Sequence, residues 1–233
     1  MEGVHLEILP QPDDTTCGPT CLHAVYQYFN DHVSLNQVIE ECPTLEEGGT
    51  LAPLLGWHAL GRGYQAVSYS YNLRVFDPTW FVLSPEQMID KLQAQLAAKK
   101  DAKVQRASRA YLQFLRRGGI VKMEDLSRTL IRKYLTRSIP ILAGLSSTYL
   151  YRAPREFGPK YDDDDIRGVP SGHFVVLCDY NRETKMVRVA DPYLPNPLAP
   201  EDNYYLVNVD RVVGAILLGI LTDDAHLLII QPK

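Results

Sequence analysis

No stretch of this sequence is long and apolar enough to cross a bilayer as a helix. The longest strongly apolar run, residues 212–221 (VVGAILLGIL), is about half of the roughly 18–20 residues required. The first ten residues, MEGVHLEILP, lack a basic opening and an apolar centre, so no secretory signal is visible. Cysteine is scarce: four in 233 residues do not make a disulfide framework, and reduced thiols in a cytoplasmic setting are expected. No charge of one sign dominates. The 24 basic and 28 acidic residues leave a net charge of -4, which gives no general attraction to nucleic acid or anionic lipid. No G-x-G-x-x-G follows a strand and no G-x-x-x-x-G-K-[ST] occurs, so no cofactor is expected. Internal repeats and low-complexity tracts are also missing. With 45% hydrophobic and 22% charged residues, the chain has a globular composition and disorder is excluded.

What is present is ordered helix first, strand later. Residues 17–31 have Cys21, Leu22, Val25, Tyr28 and Phe29 at helical spacing, with Thr16 placed to cap and Pro19 in the first turn. A second helix is predicted over 51–60, stopping at Gly61 and Gly63, and a strand over 64–71. Residues 84–117 predict long helices, followed by helix again over 123–134 and a short buried strand over 141–145. Strands are predicted at 173–180, 185–191, 204–209 and 226–230, with a short helix or turn at 210–218. This order predicts an α+β domain and argues against a doubly wound sheet.

The segment 11–22, QPDDTTCGPTCL, is the most informative. Cys17 opens a helix, where the dipole and the free N–H groups favour a thiolate, the nucleophilic form. The same N–H groups suit an oxyanion, and the Gln11 amide is placed to add a donor. Against this stands the plainer reading of Cys17 as a small buried residue and Gln11 as a loop residue. Cys21 falls on the apolar stripe and reads as core. A metal held by Cys17 and Cys21 lacks two further ligands, so no metal is expected.

A nucleophilic thiol needs a base. Of the six histidines, His173 opens a strand after the flexible pair Ser171-Gly172. The segment 173–191 reads as an antiparallel hairpin. With its turn centred on Arg182, Asp179 faces Lys185, Leu177 faces Val187, Val175 faces Val189 and His173 faces Asp191. A half-residue shift opposes His173 to Pro192 instead, and a bulge restores the contact. The plainer readings are a satisfied strand-end histidine and a turn aspartate before proline.

Gln11, then Cys17-Gly18-Pro19 opening a helix, then Gly172-His173, then Asp191-Pro192 resembles family thirty-nine of the papain-like cysteine peptidases. That family holds bacteriocin-processing peptidases and a fringe of stand-alone relatives, to which this chain is more similar. The resemblance spans roughly 8–80 and 125–195. It implies a papain-like fold with the cysteine helix packed on an antiparallel sheet carrying the histidine. It also implies Cys17 as nucleophile, His173 as base, Asp191 as its orienter and Gln11 in the oxyanion hole. The processing peptidases usually have an acidic residue just before the cysteine, where this chain has Thr16, and are normally fused to a transporter that is not seen here. The expected organisation is one domain, 1–233, with a helical insertion at about 84–117. The expected function is thiol hydrolysis of a peptide or amide. The alternatives are acyl transfer through the same residues and a non-catalytic peptide-binding module.

Two charged tracts complete the reading. The run Asp162, Asp163, Asp164, Asp165 is expected as a solvated loop. Residues 99–117 carry seven basic residues and one acidic one. They read first as a solvated helix face and second as a docking face for a protein partner. Frequent basic residues also predict that 84–117 projects from the core or caps the cleft.

Overall fold

The computed structural model describes residues 6–45 and 48–233. His5 and the start of the segment read for an export signal lie outside them. In chain order the helices and strands are α1 (Cys17–Tyr28), α2 (Leu35–Glu41), α3 (Ala52–Gly61), β1 (Gln65–Ser70), α4 (Pro85–Ala98), α5 (Ala102–Arg116), β2 (Ile120–Lys122), α6 (Arg128–Leu135) and β3 (Ile141–Ser146). Then follow α7 (Ser147–Tyr151), β4 (Glu156–Phe157), β5 (Asp162–Asp163), β6 (Gly172–Asn181), β7 (Met186–Ala190), β8 (Tyr204–Asn208), α8 (Val209–Leu218) and β9 (His226–Gln231). The fold is α+β, as expected.

One sheet organises the molecule, in the order β2-β1-β9-β3-β6-β7-β8. Every pair is antiparallel except β1 with β2. Helices cover both faces, so the central strands are apolar without alternation: β3 is buried along its whole length. Successive residues feed opposite cores. Leu142, Val176 and Leu228 join α1, α3 and α5 on one side; Ala143, Val175 and Leu227 join α6 and α8 on the other.

Four expectations need correction. The helical segment 84–117 does not project. Helix α5 is amphipathic, and its apolar face places the fully buried Tyr111 and Phe114 in the core with α1 and α3. The basic residues occupy the opposite face, so their frequency says nothing about the burial of the element. The helix predicted from 123 begins only at Arg128, because the Ser127 side chain caps it by accepting from Leu130 N. Asp162, Asp163 and Asp165 are exposed as expected, but Asp164 is half-buried against Arg167, and Asp162 and Asp163 pair as a short strand with Glu156 and Phe157.

The hairpin register also differs. Leu177 pairs with Val189, two residues beyond the predicted partner, and Asn181 pairs with Met186. The turn holds four residues because Asn181 Oδ1 accepts from Glu183 N and Thr184 N, and Lys185 takes a left-handed conformation (φ 57°). A bulge between Leu177 and Asp179 absorbs the odd residue. A shift of two residues leaves side chains on their original faces. Continuing the pairing beyond Ala190 puts Asp191 opposite Val175, one pleat from His173 on the same face.

Candidate active site

The loop before α1 is built around Asp13. Its carboxylate accepts from Thr15 N (2.8 Å) and Thr15 Oγ1 (2.7 Å), and its backbone carbonyl accepts from Thr16 Oγ1 (3.1 Å). Thr16 is therefore engaged with the loop and does not cap the helix, contrary to expectation. The first N–H groups of α1 have no side-chain cap, and Cys17 is the first residue among them. Gly18 then packs the helix start tightly: a Cβ there would lie 2.7 Å from Thr50 Cγ2 and 3.3 Å from Phe174 Cδ2.

Among the four cysteines, Cys17 is half-buried and the rest are buried. Cys21 donates to the Phe174 carbonyl (3.2 Å), and burial holds its thiol well above the usual range. Burial pushes Cys42 and Cys178 up to about 12. These three are protonated core residues.

His173 is the second residue of β6 and pairs across to Leu145 of β3. It is 7% exposed. Its Nε2 lies 2.8 Å from Asp191 Oδ1. Cys17 lies near enough to the ring to act on its charge. With Nε2 on the carboxylate, Nδ1 is the nitrogen free for the thiol. Burial opposes a charge on His173, but the Asp191 charge and hydrogen bond, joined by Cys17, outweigh it and raise its pKa to about 10.

Asp191 is fully buried. Burial favours its neutral form, yet His173 and the tyrosines hold its pKa below the usual carboxylate range. Oδ1 also accepts from Tyr193 N (2.9 Å), and Oδ2 accepts from the hydroxyls of Tyr151 and Tyr205 (2.7 Å each). The Asp191 backbone is clamped as well: its N–H donates to Asn203 O (2.8 Å) and its carbonyl accepts from Asn203 Nδ2 (2.6 Å).

Gln11 is tied to this corner through its backbone, its N–H donating to Pro192 O (2.8 Å). Its side-chain amide donates to Asp13 O (2.9 Å), which leaves the second amide hydrogen uncommitted. The structure thus pairs His173 with Asp191, places Cys17 near enough to act on the ring's charge, and anchors Gln11 beside Asp191. Sequence reasoning missed Tyr151, Tyr205 and Asn203. For Tyr205 a signal existed: it pairs with Val189, which puts it on the Asp191 face of the sheet.

Among the described residues, no group of three or more His, Cys, Asp or Glu could hold a metal. No helix there is long and apolar enough to cross a membrane.

Residues 5–208 match the Peptidase_C39 like family. The chain belongs to that family. This is the family expected from Gln11, Cys17-Gly18-Pro19, Gly172-His173 and Asp191-Pro192, and it makes the chain a protein of cysteine-peptidase type. Solved structures similar to this member include the peptidase domain of Streptococcus ComA, a bi-functional ABC transporter involved in a quorum sensing pathway (13% identity, 98% of this chain and 100% of that chain, TM-score 0.47). A double glycine motif protease from an AMS/PCAT transporter, solved in complex with the leader peptide, matches at 14% identity over 99% of this chain and 94% of that one (TM-score 0.47). A C39-like protein of Bacillus anthracis matches at 13% identity over 100% and 99% (TM-score 0.47). No curated protein matches.

Proposed function

We propose that this C39-like chain is a thiol hydrolase that cleaves a peptide or amide bond through Cys17, His173 and Asp191. The observation that carries the reading is the buried His173–Asp191 pair, 2.8 Å apart, with His173 on the strand that packs against the helix opened by the half-buried Cys17. The Cys17 thiolate attacks the carbonyl carbon and a C–S bond forms. The oxyanion is met by the uncapped N–H of Cys17 and by the free hydrogen of the Gln11 amide. His173, as imidazolium, gives its proton to the leaving nitrogen and the C–N bond breaks. Water then attacks the thioester, its proton passes to His173, and the acid leaves with the thiolate restored. Asp191 fixes the ring and stabilises its charge without taking the proton. An amine in place of that water makes the same site an acyltransferase.

The test uses iodoacetamide, which needs no knowledge of the substrate. In the intact protein at pH 6, Cys17 should alkylate about a hundredfold faster than in His173→Ala, since a positioned base contributes on that order. A peptide library incubated with the protein should be cleaved, and Cys17→Ala should abolish the cleavage. An alkylation rate unchanged in His173→Ala, with no cleavage that depends on Cys17, would leave a binding module on a peptidase scaffold.

A further inference from the structure

We propose that Tyr151 and Tyr205 are positioning residues for this site, acting through the second oxygen of Asp191 to keep it ionised and aimed at His173. The proposal rests on the catalytic reading of Cys17, His173 and Asp191. A carboxylate has two oxygens, and here they have separate tasks. Oδ1 serves His173 and the Tyr193 N–H. Oδ2 makes no bond to the histidine and receives two phenols, one from the end of α7 and one from β8.

Two hydroxyl donors on one buried oxygen have a direct chemical effect. An isolated carboxylate at this depth would protonate, and a protonated Asp191 would neither orient nor charge the ring. Short hydrogen bonds to an ionised oxygen favour the ionised form. The phenols cannot fail as donors near neutrality, because burial and the Asp191 charge hold both well above the usual tyrosine range. They also triangulate. The Tyr151 ring lies 6.3 Å from the His173 ring, and Tyr205 reaches Asp191 from the neighbouring strand, so the carboxylate plane is fixed from two directions. The ionisable groups facing the His173–Asp191 pair are Cys17 and Cys21 on α1, Tyr151 on α7, Tyr193 after β7, whose ring lies 6.2 Å from the His173 ring, Tyr205 on β8 and Asp224 before β9. Of these, Tyr151 and Tyr205 are the neutral donors on Oδ2.

The experiment compares the wild type, Tyr151→Phe, Tyr205→Phe, the double variant and Asp191→Asn. Phenylalanine keeps each ring and removes only the donor, and circular dichroism checks folding. Two readouts are taken: the pH at which His173 loses its proton, from nitrogen-15 NMR of labelled histidine, and the rate of Cys17 alkylation at pH 6. In the double variant His173 should release its proton at least about one pH unit lower than in the wild type, and alkylation should slow about tenfold. The single variants should fall between, and they carry the test if the double variant does not fold. Folded variants with the wild-type titration and rate would show the tyrosines to be packing alone. If Asp191→Asn also leaves both readouts unchanged, the catalytic reading itself falls, an outcome distinct from failure of the tyrosines only.

Discussion

Replacing Gly172 by alanine tests how the strand that carries His173 is seated. Gly172 opens β6 immediately before His173 and pairs with Ser146. A Cβ there would fall on the Asp224 carboxylate, contacting Oδ2 directly, with Asp224 Cγ and Thr222 Oγ1 each at 2.8 Å. Asp224 has little space into which to retreat: its backbone is held at Gly219 O (2.8 Å) and by His226 N (2.7 Å), and the residue is buried, so its side chain must rotate within packed surroundings. In an unobstructed strand, Gly→Ala stabilises by about 0.5–1 kcal/mol. Overpacking of this kind costs about 1–3 kcal/mol. The sign of the effect therefore decides the matter: urea unfolding of Gly172→Ala should show a loss of ~1–3 kcal/mol. Because the strand must shift beside His173, alkylation of Cys17 should also slow, by about a hundredfold for a displacement near 1 Å. Shortening Asp224 to alanine in the same chain should return most of the stability, giving a coupling free energy of about 1 kcal/mol or more. A Gly172→Ala protein as stable as the wild type, with no coupling to Asp224, would refute the reasoning.

Phe114→Ala probes the integration of α5. The ring is fully buried between Gly56 and Gly119, so its removal leaves a cavity with rigid backbone walls and should cost about 3–5 kcal/mol by urea unfolding. A loss under about 1 kcal/mol would make α5 peripheral after all. Asp224→Asn addresses pH. Burial, reinforced by the neighbouring charge of Asp223, raises the Asp224 pKa from 3.8 to about 7. A group raised on folding contributes stability below its unfolded pKa and loses it as pH rises through the folded value. The variant should therefore gain on the wild type progressively between about pH 4 and 7 and hold that gain above, as read from urea midpoints; a gap that does not change with pH would count against it.

Helices α1 and α3 and strands β1, β3 and β9 were legible because their cues are local: apolar spacing, glycine stops and bounded apolar runs. Strand β2 was not legible. It has three residues, and its partner Val67 lies far back in the chain, so no window of sequence contains the cue. The hairpin register failed over one asparagine: Asn181 accepts two backbone N–H groups and lengthens the turn, which cross-strand pairing of charges does not reveal. Cys17, His173 and Asp191 were visible because each sits at an element boundary, where spacing and turn residues mark it. Tyr151 and Tyr205 were hidden for the opposite reason. A tyrosine inside a short helix or an alternating strand looks like packing until the carboxylate beneath it is seen.

The place of β9 in the sheet has a consequence for biosynthesis. It is the last strand described to leave the ribosome, yet it lies between β1 and β3. Until it arrives, β1 with β2 and the β3-β6-β7-β8 ribbon are separate pieces, each with an open row of backbone donors and acceptors. The α1 helix meets β6 directly, so those two elements can dock early, but α3 packs on both β1 and β9, and the β1–β2 pair has no backbone bond to the rest of the sheet before β9 arrives. Such distant pairings fold slowly. An incomplete chain accordingly presents two unpaired strand edges, a target for chaperones and for aggregation, until β9 fills the gap and closes the sheet.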